Sequence, residues 1–451
     1  MRKIANSSAR SLLLLLSFSA CFSSKPAIQA PSETSEGRGT LVRPPASGQT
    51  TSPHAAHGWG ASTDGGTAGQ VIRVTTLAAN GEGSLRKALE AEGPRLVVFE
   101  VGGVIDLAGR TLTVRQPHLT LAGQTAPDPG ITLIRGGLIV ETHDVIIQHI
   151  AVRPGDAGPE GKEWAPDALG VRRGNYGPVH DVVFEHCSAT WSVDENLSTS
   201  GPADVTDSSL TASDITLRHC LIAEALSNAT HPKGEHSKGT LIHDGVRNVA
   251  IEGCVYAHNL ERNPRLKGGA SALVFESLMY NWGSACVGVG ARGNEEMLTP
   301  AEVTLAGNVA IAGPDTRGKV FVKGLDPGAR ALVRDNLIFS LSMADKNVLV
   351  GEAPASLRSS PREAAERALR SAGSRPARRD PIDARIVHSV IAGNGSIIDS
   401  QNEVGGYPTR PATTRALVIP EDRRTWLATL SRELAVDATL DVAPLWQRLG
   451  Q

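Results

Sequence analysis

The stretch RNPRLK at residues 262–267 sets three cations, Arg262, Arg265 and Lys267, around Pro264. The proline ring locks its own φ and biases Asn263 toward an extended backbone. Side chains alternate along an extended segment, so Arg265 and Lys267 share one face and the bend before Pro264 aims Arg262. Fixed cations suit a base-catalysed elimination on an acidic sugar, where negative charge grows on a carboxylate as the neighbouring proton leaves. The same run also suits an ordinary solvated loop. What separates the two readings is the element that carries the segment.

Short apolar segments recur along the chain: VIIQHI (145–150), VVFEHC (182–187), ITLRHC (215–220), VAIEGC (249–254), LVFESL (273–278), VTLAGN (303–308) and, offset by one, ALVRDN (331–336). Each begins 24 to 37 residues after the last, a period typical of stacked supersecondary units that cannot bury their inner faces alone. The segments are short, β-branched and bounded by Gly, Asn and Pro, so they are strands rather than helical repeats. The fold class expected is all-β, a single-stranded right-handed parallel β-helix with short capping helices. Its sixth repeat position, Ile150, Cys187, Cys220, Cys254, Leu278, Asn308 and Asn336, becomes an interior ladder. The ladder cysteines are expected as buried thiols, with bridges as the alternative. Residues 84–91 (SLRKALEA) form a helix capped by Ser84, set before a first strand at 96–101 and suited to covering the open first coil.

The 451 residues carry 40% hydrophobic residues, 47 glycines and a net charge of −2. Such a chain fills thin coils, and nothing in its charge points to nucleic acid. Arg2 and Lys3, an apolar run and small residues before Cys21 have the layout of an export signal. FSAC (18–21) is similar to a bacterial lipoprotein processing site, so a lipid anchor at Cys21 and simple cleavage are both open. The expected organisation is a leader at 1–21, a disordered tether at 22–57, the β-helix at 58–345 and a C-terminal extension at 346–451 that caps the solenoid or packs on its flank. Within the extension, 353–378 and TWLATLSRELA (425–435) suggest helices. A secreted or outer-surface monomer is expected. The 13 histidines, His231, His236 and His243 among them, show no zinc-protease spacing. There is no G-x-S-x-G elbow and no adjacent Asp pair.

GWGASTDGG (58–66), GSLRKAL (83–89), LTLAGQTAPDPGITL (119–133), IAVRPGD (150–156), DALGV (167–171), EHCSATWSVDENLS (185–198), HSKGTLI (236–242), HNLERNPRL (258–266), YNWG (280–283), RDPIDARIV (379–387) and IIDSQNEVGGYP (397–408) stand in one order. In that order they resemble the pectate lyases of polysaccharide lyase family 1 over roughly residues 58–408. The resemblance implies a parallel β-helix that cleaves polygalacturonate by Ca²⁺-assisted β-elimination.

The chemistry also has its own requirement. Proton removal at C5 of a galacturonate needs the adjoining carboxylate neutralised, and Ca²⁺ held by hard oxygen ligands does this. The candidate ligands are Asp167, Asp194 and Glu195, with turn-capping carboxylates as the alternative. The resemblance implies Asp167 and Asp194 as calcium aspartates, Lys238 as a substrate-carboxylate ligand and Arg262 as the base. Arg265 and Lys267 join Lys238 in substrate binding. Two departures stand out. Ser198 occupies a position that is often acidic, and Glu195, its nearest replacement, is expected to point away on an extended backbone. Lys267 stands where a second arginine is common and lacks its bidentate fork. A non-catalytic polysaccharide-binding or surface β-helix protein is the alternative function.

Overall fold

The computed structural model describes residues 58–160, 162–174, 177–201, 210–290, 300–325, 328–339, 341–353 and 357–451. The leader, the tether and Cys21 lie outside the described residues. The complete coils each contribute one strand to each of three sheets, visited in a fixed order, while the first and last coils contribute only to the first sheet. Among the described residues the first sheet has 11 strands, the second 10 and the third 9. All neighbours are parallel except Thr413–Thr414, which pairs antiparallel with the strand Val101–Asp106. This is a right-handed parallel β-helix, the hand that crossovers between parallel strands adopt.

All seven repeat segments are strands of the first sheet. Val145 pairs with Val182, Val182 with Ile215, Ile215 with Val249, Val249 with Ala272, Ala272 with Val303, and Val303 with Ala331. That register corrects one rung. It begins the fifth segment at Ala272, so the ladder residue is Ser277 and not Leu278, and ALVRDN needs no offset. Leu278 opens the next strand, pairs with Val255 and Val309, and faces the C-terminal extension. A one-residue slip moves a side chain to the opposite face, and Ser277 accepts the inner place because its hydroxyl has work there. It accepts from the Cys254 amide at 3.1 Å, while the Ser277 amide donates to Asn308 Oδ1 at 3.0 Å and the Asn308 amide to Asn336 Oδ1 at 3.0 Å. Cys187, Cys220 and Cys254 point inward, and these three and Cys286 are buried free thiols.

Helix α1 (Leu85–Glu90) starts where Ser84 Oγ accepts from the Lys87 amide, and its Leu85, Ala88 and Leu89 join the solenoid core beside the earliest coil. A strand at Gln70–Val74 precedes the expected first strand, which is itself at Arg95–Phe99. The solenoid also runs past the boundary expected at 345, because Val348–Glu352 pairs with Ala329–Arg334.

The extension packs on the flank. Helices α2 (Pro361–Ser371) and α3 (Pro381–Ala392) bury Leu369, Ile386 and Val390 against Leu221, Val255, Leu278 and Val309 of the second sheet. Arg153, fully buried, reaches Asp380 at 2.8 Å and Asp383 at 2.7 Å across this seam. Helix α4 (Arg423–Leu434) packs Leu427 on Leu96, Val98 and Ala122, and α5 (Ala443–Arg448) adds the buried Trp446.

Candidate active site

The third sheet carries the site. Asp167 lies just before the strand Leu169–Arg172, Glu195 opens the strand Glu195–Ser200, Lys238 opens Lys238–Ile242 and Arg265 opens Arg265–Leu266. These strands are successive neighbours, so residues far apart in sequence line one face. A second interior ladder, which the sequence reading missed, holds the loops in place. Asn196 Nδ2 donates to Asn259 Oδ1 at 3.0 Å, and Asn259 Nδ2 donates to Asn263 Oδ1 at 3.0 Å. Asn196 follows the acids and Asn263 follows Arg262, so buried amides fix Arg262 relative to the carboxylates. Arg262 itself sits in the left-handed region at φ 67°.

Asp167, Asp194, Glu195, Arg262, Arg265 and Lys267 line one groove of about 460 Å³, together with Ser198, Lys233, His236 and His243. Ligand oxygens of Asp167, Asp194 and Glu195 lie within 4.8 Å of one another. The expectation that Glu195 points away is therefore corrected. The strand turns its corner with both Asn196 and Leu197 inside, which breaks the alternation and leaves Glu195 and Ser198 both on the groove face. Ser198 donates to Asp167 Oδ2 at 2.7 Å, and the Glu195 amide donates to Asp167 Oδ1 at 3.0 Å. Arg262 is ion-paired to Glu195. Lys267 pairs with Asp244 at 2.8 Å. The Lys238 ammonium donates to Glu261 at 2.9 Å, and Lys238 is not among the groove-lining residues.

The two aspartates are driven apart electrostatically. Burial and the neighbouring Asp194 push the Asp167 carboxyl up to about 7. Burial also opposes ionisation of Asp194, but the hydrogen bond from His236 at 2.7 Å and its charge hold that carboxyl below the usual range. Two close acids and a third beside them favour a cation between them. The donor set is all oxygen, which fits Ca²⁺. His236 as a partner of Asp194 was legible in no local spacing, because the contact crosses between coils. His231 stacks on His236 with ring centroids 3.7 Å apart.

The probable pectate lyase C of Aspergillus flavus is 32% identical over 401 residues, covering 83% of this chain and 87% of the relative. The chain belongs to the pectate lyase family. It is thus an enzyme, a polysaccharide lyase, and the non-catalytic alternative is set aside. The probable pectate lyase C of Emericella nidulans is 30% identical over 402 residues, 83% of this lyase and 85% of the relative. That of Aspergillus terreus is 35% identical over 270 residues, 60% of this chain and 56% of the relative. No family model matches the chain. Among solved structures, the cedar pollen allergen jun a 1 aligns at a TM-score of 0.48 and 16% identity, over 69% of this lyase and 89% of that chain. A Bacillus subtilis pectate lyase variant aligns at 0.47 and 12%, over 70% and 96%. No helix among the described residues is long and apolar enough to cross a membrane.

Proposed function

We propose that this lyase cleaves polygalacturonate by Ca²⁺-assisted β-elimination, with Arg262 as the base. The observation that carries the reading is the placement of Arg262 in one groove with Asp167, Asp194 and Glu195. A solved Bacillus pectate lyase is described in complex with trigalacturonate, the substrate class that a groove with Arg265, Lys267 and Lys233 would meet with positive charge.

Asp167, Asp194 and Glu195 would hold the calcium ion. A Ca²⁺ ion held by them would supply the positive charge that neutralises the substrate carboxylate as enolate charge develops on it. Arg262 takes the C5 proton, the C5–H electron pair forms the C4=C5 double bond on the new end as the C4–O bond breaks, and the departing oxygen leaves with its electron pair and takes a proton from water. An arginine is a poor base at its ordinary pKa, and its pairing with Glu195 favours the charged form; a cation held by Glu195 would relieve that pairing and favour the neutral form. Arg265 and Lys267 orient substrate carboxylates, Arg265 through its planar fork and Lys267 as a point charge. Lys238, set beside Glu261, supports substrate binding from the adjoining strand. We propose that the enzyme works as an exported monomer, since its polymeric substrate lies outside cells.

The test is polygalacturonate breakdown followed by ultraviolet absorbance of the unsaturated product, with and without a calcium chelator. Chelation is expected to lower the rate at least about a hundredfold, since the metal supplies several kcal/mol of charge stabilisation, and added Ca²⁺ restores it. Asp194→Asn is expected to raise the Ca²⁺ concentration needed. Full activity in excess chelator would remove calcium from the mechanism.

A further inference from the structure

We propose that His118, His143 and Asp144 form a second cation site, for a divalent transition metal of the zinc class, at the corner where the coils enter the first sheet. The strand register places them on successive coils. Leu119 pairs with Val145, so His118 stands beside Asp144, and Val145 pairs with Val182, so His143 stands beside His180. One ligand atom from each of His118, His143 and Asp144 lies within 4.8 Å of the others.

The Asp144 carboxylate is oriented for this task. Thr63 Oγ1 donates to its Oδ1 at 2.8 Å, which leaves Oδ2 facing the imidazoles. His143 Nδ1 is 2.7 Å from Oδ2 and His118 Nδ1 is 3.8 Å from it. Ligand atoms around a tetrahedral zinc with bonds near 2.0–2.1 Å are separated by roughly 3.3 Å, so small side-chain shifts bring these atoms to their places. Burial works against the Asp144 charge, but the hydrogen bonds from His143 and Thr63 keep its carboxyl below the ordinary range. Thr63 acts as the outer partner that orients a ligating carboxylate. His180 stacks on His143 with centroids 4.9 Å apart and planes 8° apart, holding that ring edge-on to the site.

The ligand chemistry selects the ion. Two imidazoles and one carboxylate suit zinc and its neighbours, whereas calcium takes oxygen. All three side chains are partly exposed, so an ion reaches them from solvent. The other mixed cluster, Asp194 with His231 and His236, is less suited. His231 Nδ1 accepts from the Lys233 amide at 3.1 Å, which pins the proton on its Nε2 toward Asp194, whereas at the corner an ion replaces the proton shared by His143 Nδ1 and Asp144 Oδ2, and the imidazole keeps its other proton on Nε2. At the corner, an ion would tie two coils to the segment containing Thr63, a stabilising role separate from the groove.

Isothermal titration of Zn²⁺ into the full, chelator-stripped chain, with Ca²⁺ saturating, is expected to show one zinc per chain and a raised Tm. Co²⁺ in its place is expected to give the visible absorption of a tetrahedral nitrogen and oxygen site. His118→Ala and His143→Ala should each weaken zinc binding about tenfold or more while leaving the rate on polygalacturonate unchanged. His118 is about half exposed, its side chain 46% accessible, so its removal keeps the fold even if His143→Ala does not. Zinc affinity unchanged in His118→Ala, or no zinc bound at all, overturns the proposal. Loss of zinc binding in His236→Ala, with His118→Ala normal, overturns it by moving the ion to the groove.

Discussion

Arg262→Ala is expected to lower the rate of elimination on polygalacturonate by roughly 10²–10⁴-fold, the range of a positioned proton-transfer group, while circular dichroism and Tm show an intact fold. Abstraction at C5 and neutralisation of the carboxylate are needed at once, so base and cation site must flank the same sugar. Arg262 meets that condition by sharing a groove with the three acids and pairing with Glu195. Its loss leaves Glu195 without that partner beside Asp167 and Asp194, so calcium binding should persist in the variant. Arg262→Lys should also be poor, because an ammonium lacks the reach and fork of the guanidinium. Lys238→Ala should act mainly on KM. Near-normal elimination by folded Arg262→Ala, measured by product absorbance, would remove Arg262 as the base.

The coils were readable because apolar alternation, β-branched residues and turn residues repeat at one spacing, and stacking turns that spacing into contacts. Leu278 was misplaced for the opposite reason. Ala272 is too small to mark the start of its strand, and apolar Leu278 looks more like an interior residue than Ser277 does. Only the amide of Cys254, waiting for an acceptor, decides between them. Glu195 failed the alternation rule because the strand bends at Asn196, an event no local pattern announces. Asp167, Asp194, Arg262, Arg265 and Lys267 were legible through the order of motifs, and the groove brings all five together. His236 on Asp194 and the amide ladder of Asn196, Asn259 and Asn263 were not, since each joins different coils and carries no spacing of its own.

Acid is expected to destabilise this protein steeply below about pH 6, through three buried histidines rather than through the groove. His186 and His219 each precede a ladder cysteine, and His149 holds the equivalent place before Ile150. The rings of His149, His186 and His219 stack at 4.9 and 5.0 Å in the corner between the first and second sheets. There they meet the extension: His149 Nδ1 reaches the Ser374 carbonyl at 2.7 Å and His186 Nδ1 the Ser371 carbonyl at 2.8 Å, while His149 Nε2 meets Ser431 Oγ at 2.8 Å. Burial pushes all three down, with each neighbouring imidazole or Arg218 adding to it, to about 3 for His149 and His186 and about 4 for His219. The charged groups facing them are Glu185, which opposes the shift, and Arg218, Arg358 and Arg375, which reinforce it. The folded rings are therefore neutral, while an unfolded chain protonates them near 6.5. Stability is present in full above that value and is lost as pH falls toward the folded values, at up to about 1.4 kcal/mol per pH unit for each ring. Urea midpoints between pH 7 and 4.5 check this. His186→Asn, chosen because asparagine tolerates the φ of 49° found there, should give a shallower decline than the parent even if its stability at pH 7 is lower. Parallel declines in the two proteins would show that the stacked imidazoles do not set the acid limit, and would place it on buried carboxylates held below their ordinary range, such as Asp380 on Arg153 where the extension is clamped.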